Sequence, residues 1–290
     1  MLMPFVEPTQ HRVQCITPSG LHHLAWWQWG DPLNRRVLVC AHGLTRCGRD
    51  FEALAQVLAR HYRVVSPDFP GRGASDWLKN PAEYQVPTYV GDMVTLLARI
   101  DAETLDWVGT SMGGLVGMAL AALPEQPIRR LVLNDVGAVL PAAALARIGQ
   151  YVGANPRFDS FEAALAYIRR VHAPFGPHDE AQWRFLTEVV VRVHDDGSWR
   201  LHYDPAIAAG FSAPGVDRDV DLWGLYEAIR IPLLLVRGAE SDLVPAALAG
   251  AMSSRGPCAR VVEFSGVGHA PTLMQADQIE AVRSFLLAAD

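Results

Sequence analysis

Short, continuously apolar runs recur along this chain, each cut off by Gly, Pro or Asp, and stretches with helical spacing lie between them. Val37-Leu38-Val39-Cys40-Ala41 is apolar at every position, which suits a strand buried on both faces of a parallel sheet. Tyr62–Ser66, Leu105–Gly109, Arg130–Asn134, Ile231–Val236 and Ala259–Phe264 are further short strands. Between them, Phe51, Leu54, Ala55 and Leu58 share one face of a helix running to about Arg60, and Tyr89–Ile100, Met112–Leu123 and Gln278–Leu287 are further helices. Leu24–Trp29, ending in Gly30-Asp31-Pro32, reads as a strand entering a hairpin. Strands alternating with helices at this spacing predict an α/β fold with a doubly wound, mostly parallel sheet.

One stretch breaks the alternation. Residues 139–226 carry helical patterns at Pro141–Tyr151, Phe161–Val171 and Glu180–Val193, with a tight turn at Asp195-Asp196-Gly197-Ser198 and no buried parallel strand. The expected organisation is therefore a core made of residues 1–138 and 227–290, with 139–226 inserted as a helical lid at one edge of the sheet.

Composition narrows the classes. Half the residues are hydrophobic and 19% are charged, which argues against a disordered chain. A net charge of -6 with no basic tract gives no electrostatic footprint for nucleic acid or an anionic membrane. No apolar run reaches the ~18–20 residues a membrane span needs. Residues Met1–Pro8 lack the basic and apolar regions of a signal peptide. The four cysteines, Cys15, Cys40, Cys47 and Cys258, show neither CxxC nor metal-type spacing, so free thiols in a cytoplasmic protein are expected. No HExxH and no dinucleotide fingerprint is present, and no metal or cofactor is expected.

Gly109-Thr110-Ser111-Met112-Gly113 has the pattern GxSxG, and it joins the strand Leu105–Val108 to the helix starting at Met112. A serine at the apex of so sharp a turn is forced into strained backbone, and its neighbours two residues away must lack a Cβ. The turn lifts the hydroxyl clear of the sheet, with the helix N-terminus aimed at developing negative charge. Ser111 is thus the candidate nucleophile.

This segment resembles the nucleophile elbow of the α/β-hydrolase fold, in the GxSMGG form of esterases, lactonases and carbon–carbon bond hydrolases. The likeness extends over nearly the whole chain outside the expected lid. Ala41-His42-Gly43-Leu44 resembles the family's HG-x oxyanion loop, which implies the amides of Leu44 and Met112 as oxyanion donors, with His42 and Gly43 supporting the loop. Asp68–Ser75 resembles the glycine-rich turn after the next strand, a scaffold at the rim. His269, in Gly266-Val267-Gly268-His269, matches the family's GxGH segment and follows the chain order Ser…Asp…His, so it is the expected base. Asp242, after the strand Ile231–Val236, resembles the family's acid. Glu240 in the same loop is a rival, and so is Asp135 after the strand before the insertion. The serine argues against the haloalkane dehalogenase and epoxide hydrolase branches, which attack with aspartate.

The resemblance implies acyl transfer on a small, mostly apolar ester, with His172, His178, His194 and His202 of the insertion placed where one could touch substrate. Lactone or carbon–carbon bond hydrolysis would use the same catalytic residues. Perhydrolase or haloperoxidase activity, or ligand reception without turnover, are more distant options on this fold. The expected partner is a small-molecule ester or lactone, with no nucleic acid and no membrane; monomer and homodimer both stay open.

Overall fold

The computed structural model describes residues 6–212 and 218–289. Residues 1–5, within the Met1–Pro8 segment expected to lack signal-peptide character, residues 213–217 of the predicted insertion and Asp290 lie outside the described residues. The chain opens with β1 (Thr9–Thr17) and β2 (Gly20–Trp29), followed by β3 (Arg36–Ala41), α1 (Glu52–Leu58), β4 (Arg63–Asp68), α2 (Val86–Ile100), β5 (Thr104–Thr110), α3 (Met112–Ala121) and β6 (Ile128–Asn134). The inserted segment holds β7 (Val139–Leu140), α4 (Ala142–Gly149), β8 (Arg157–Phe158), α5 (Phe161–Val171), α6 (Glu180–Glu188), β9 (Val191–Val193), β10 (Trp199–Leu201) and β11 (Val220–Asp221). The core resumes with α7 (Trp223–Ala228), β12 (Leu233–Gly238), α8 (Ala246–Met252), β13 (Arg260–Phe264) and α9 (Ala276–Leu286).

The main sheet has eight strands in the order β1-β2-β4-β3-β5-β6-β12-β13. From β4 to β13 every pairing is parallel, and β1 and β2 add antiparallel strands at one edge. The apolar runs are explained by their two-sided burial. In β3, Val37, Val39 and Ala41 enter one core cluster while Leu38 and Cys40 enter the other; in β12, Leu233 and Leu235 oppose Leu234 and Val236 in the same way. Side chains alternate across a strand, so a strand covered on both faces is apolar throughout. α2, α3, α7 and α8 contribute Met93, Val116, Tyr226 and Met252 to one cluster, while α1 and α9 contribute Leu54, Leu58, Val282 and Phe285 to the other.

Three local expectations need correction. Gly30-Asp31-Pro32 does not close a hairpin: β2 pairs with β1 before it, and the chain after the turn crosses to β3, which pairs with β4 and β5. The insertion is not purely helical. β8, β10 and β9 form a three-stranded antiparallel sheet, and the C-terminal part of the predicted helix Glu180–Val193 is β9. The return to the core also begins before residue 227, because Tyr226 in α7 is fully buried against the core. At the root of the insertion β7 and β11 pair antiparallel, Val139 with Asp221 and Leu140 with Val220. Among the described residues, no helix is long and apolar enough to cross a membrane.

Candidate active site

Ser111 sits between β5 and α3 with φ 51° and ψ −115°, in the left-handed half of backbone space that side chains avoid. Its amide donates to the Asn134 carbonyl at 2.9 Å, and its own carbonyl accepts from Gly114 and Leu115. The glycines on either side are sterically obligatory. A Cβ on Gly109 would stand 2.3 Å from the Gly113 carbonyl oxygen, and one on Gly113 would stand 2.0 Å from that of Ala41. A Cβ on Gly117 would meet the Trp107 indole nitrogen at 2.4 Å, so α3 lies directly against the sheet.

His269 reaches back over the strand ends from the loop after β13, and its Nε2 accepts from the Ser111 hydroxyl at 3.0 Å. Its Nδ1 donates to Asp135 Oδ2 at 2.7 Å. Asp135 follows β6, is fully buried, and accepts two further hydrogen bonds: from the Gly238 amide on Oδ1 at 3.2 Å and from the Ser241 hydroxyl on Oδ2 at 2.7 Å. A carboxylate held by these donors fixes the imidazole with its proton on Nδ1 and its lone pair toward serine.

The expectation that Asp242 partners His269 is therefore overturned. Asp242 is 44% exposed and forms a bidentate bridge to Arg147 of α4, at 2.5 and 2.8 Å; partial burial works to raise its carboxyl pKa, but the hydrogen bonds and charge of Arg147 outweigh it and leave the carboxyl below the usual range. Glu240 turns the other way and accepts from the Gly266 amide at 3.0 Å.

The loop after β3 lies against Ser111, since a Cβ on Gly43 would stand 3.8 Å from Ser111 Cβ. His42 is buried beneath it, donating from Nδ1 to the Gly43 carbonyl at 2.6 Å and accepting from the Phe69 amide on Nε2 at 2.9 Å. Burial, with Arg72 and Arg46 nearby, pushes its pKa down to about 3, so it is neutral and a brace. Arg72, from the glycine-rich turn after β4, is wholly buried and holds the Leu44 carbonyl at 2.7 Å, the Pro70 carbonyl and the Tyr89 hydroxyl. Leu44 and Met112 both line the cavity next to Ser111. The Met112 amide opens α3, where backbone donors have no partner within the helix.

Two contributors escaped the sequence pattern. Asn134 Nδ2 donates to Thr110 Oγ1 at 2.9 Å and to the Pro271 carbonyl at 2.8 Å, tying the strand that leads to Ser111 to the loop that carries His269. Ser241 holds Asp135. Asn134, a polar residue closing an apolar strand directly before Asp135, was visible in the sequence, whereas nothing local marks Ser241.

A cavity of about 210 Å³ opens beside Ser111 and His269. Its walls are largely apolar, with Leu115 and Val136 from the core and Leu140, Ile148, Phe175 and Phe211 from the insertion. His172 of the insertion lines it as well, stacked on Phe175 at 4.6 Å, and burial followed by the charge of Arg46 holds its pKa at about 3. Among the described residues, one group of potential metal ligands has donor atoms within 4.8 Å of one another, Cys15, His22 and Asp92. There His22 Nε2 already bonds Asp92 at 3.1 Å, and none of the three lines the cavity.

A family model described as "alpha/beta hydrolase fold" matches residues 36–273. The chain is 50% identical over 284 residues to a 3-hydroxybutyrate-oligomer hydrolase of Cupriavidus necator, covering 96% of this chain and 97% of that one. It is 28% identical over 259 residues to a pimeloyl-[acyl-carrier protein] methyl ester esterase of Xanthomonas campestris, covering 87% and 95%. The solved structure of an alpha/beta hydrolase from Novosphingobium aromaticivorans superposes with a TM-score of 0.86 at 34% identity, covering 98% of this chain and 99% of that one.

Proposed function

The chain belongs to the alpha/beta hydrolase fold family, and on that premise we propose that it cleaves esters of short hydroxyacid oligomers through an acyl-enzyme on Ser111, with His269 as base and Asp135 as acid. The unbroken line of hydrogen bonds from Ser111 Oγ through His269 to the buried Asp135 carries this reading. Ser111 attacks the ester carbonyl while His269 Nε2 takes its proton; a hydroxyl alone is a poor nucleophile at neutral pH. Asp135 stabilises the resulting imidazolium and keeps its orientation. The amides of Leu44 and Met112 receive the oxyanion, each worth on the order of 3–4 kcal/mol of barrier. The alcohol leaves with the proton from His269. Water, deprotonated by the same imidazole, then attacks the acyl-serine and releases the acid.

The substrate class rests on likeness and on cavity size. About 210 Å³ lies below the roughly 300–1,000 Å³ of sites for drug-sized ligands, which suits short acyl and alcohol arms. The relative that shares half its residues with this chain is named for hydroxybutyrate oligomers, and the methyl ester esterase is also an ester hydrolase. The insertion, which supplies one wall of the cavity, acts as its lid. The buried, unpaired thiols of Cys15, Cys40 and Cys47 support a reducing, cytoplasmic setting.

The test measures hydrolysis of the 3-hydroxybutyrate dimer and p-nitrophenyl butyrate beside a lactone and a vinylogous diketone. The two linear esters are expected to turn over fastest, and Ser111→Ala is expected to lose both turnover and labelling by a fluorophosphonate. Full ester hydrolysis by Ser111→Ala, or a lactone or diketone as the preferred substrate, would end the proposal.

A further inference from the structure

Among the described residues lining the cavity beside Ser111, Arg46 is the only Arg, Lys, Asp or Glu. It lies two residues beyond Leu44, and only 5% of its surface is exposed. Nε and Nη2 bond Asp50 at 2.7 and 2.6 Å, and this carboxylate keeps the guanidinium charged against the pull of burial. The remaining nitrogen, Nη1, is buried and has no hydrogen-bond partner. Arg46 also lines two small recesses of about 20 and 40 Å³.

A guanidinium is a planar fork of five donors, and here one edge is engaged while the other nitrogen is left over. A buried donor without a partner is costly, and a carboxylate is the acceptor that this geometry suits best.

We infer that Nη1 of Arg46 receives a free carboxylate of the substrate, so that this site is built for ester acids in preference to neutral esters. The inference deepens the esterase reading and rests on it. A linear hydroxyacid oligomer meets the requirement, since its last unit carries an unesterified carboxylate. In the dimer that carboxylate belongs to the alcohol half, so Arg46 holds the leaving group while Ser111 takes the acyl half. Longer oligomers are then shortened from the acid end, one unit at a time.

The experiment compares the 3-hydroxybutyrate dimer with its methyl ester in the wild type, in Arg46→Gln and in Arg46→Gln/Asp50→Asn. The double variant removes the ion pair together and leaves no buried carboxylate alone if the single variant fails to fold. The wild type is expected to favour the acid by about ten- to hundredfold in kcat/KM, mostly through KM, which is the range for a charged hydrogen bond. That ratio is expected to approach one when Arg46 is replaced. Calorimetric titration of the dimer acid into Ser111→Ala reads binding without turnover, and the affinity is expected to vanish with Arg46→Gln added. Equal handling of acid and methyl ester by the wild type, or a preference that survives in the double variant, overturns the carboxylate site and leaves the esterase intact. Absence of ester hydrolysis overturns the esterase instead, and the titration still decides whether Arg46 holds the carboxylate.

Discussion

Replacing Asp135 by Asn isolates the electrostatic part of the triad, because size and shape barely change. The Gly238 amide donates to Oδ1, so an asparagine there must put its carbonyl oxygen on that side and its NH2 where Oδ2 was. That NH2 then faces His269 Nδ1 and the Ser241 hydroxyl, the two groups now bonded to Oδ2. The imidazole can meet it only as an acceptor, which moves the proton to Nε2 and points a donor at Ser111 Oγ, where an acceptor is needed. The same substitution in Ser-His-Asp triads lowers kcat by on the order of 10⁴, and at ~1.36 kcal/mol per factor of ten this is about 5 kcal/mol of barrier. Asp242→Asn is the matched control. It weakens a half-exposed bridge to Arg147, worth about 1 kcal/mol of stability at most, and kcat is expected to stay within roughly threefold. Steady-state hydrolysis of p-nitrophenyl butyrate, with melting curves to confirm folding, reads both variants. A folded Asp135→Asn enzyme within tenfold of wild type, or a thousandfold loss in Asp242→Asn, would refute the assignment of the acid.

Other substitutions probe the scaffold. Gly113→Ala forces a methyl group within 2.0 Å of a backbone oxygen and is expected to lower Tm by on the order of 10 °C or abolish soluble protein, whereas Gly224→Ala, where a Cβ meets nothing within 4 Å, is expected to leave Tm within a few degrees; equal effects in calorimetry would contradict the packing described for α3. Stability should also fall in acid through His172: its folded pKa of about 3 lies below the unfolded ~6.5, so its contribution is complete above pH 6.5 and is lost as pH drops toward 3. At pH 5 this amounts to about 2 kcal/mol, and His172→Phe should flatten the urea-denaturation free energy between pH 6 and 5 by close to one proton; an unchanged slope would show that the imidazole is not held neutral.

Central strands of the parallel sheet, β3 and β12 above all, could be read from the sequence because two-sided burial writes itself as an unbroken apolar run, as in Val37–Ala41. The elbow at Ser111 and the His269 loop were equally legible, since their glycines answer to steric demands visible in GxSxG and GxGH. The acid was not. β6 and β12 are hydrogen-bonded neighbours, with Asn134 opposite Val236, so the loops that follow both could reach the imidazole. What separates Asp135 from Asp242 is long-range: Ser241 and the Gly238 amide turn toward Asp135, and Arg147 arrives from the insertion to take Asp242. No local pattern encodes that. β1 was missed because most of its residues are exposed, and β7 to β11 because elements of two or three residues leave no period to detect.

The root of the inserted segment has a bearing on how such a scaffold can change. The chain departs after Asn134 and comes back at Leu233 on the adjacent strand, and the short β7–β11 ladder clasps the two ends together before they spread. Whatever lies beyond that clasp can be lengthened, trimmed or exchanged without stretching the scaffold, because closing a longer excursion costs only slowly more entropy. Grafting a different excursion onto the same clasp would re-cut the substrate chamber while serine, histidine and Asp135 keep their mutual distances.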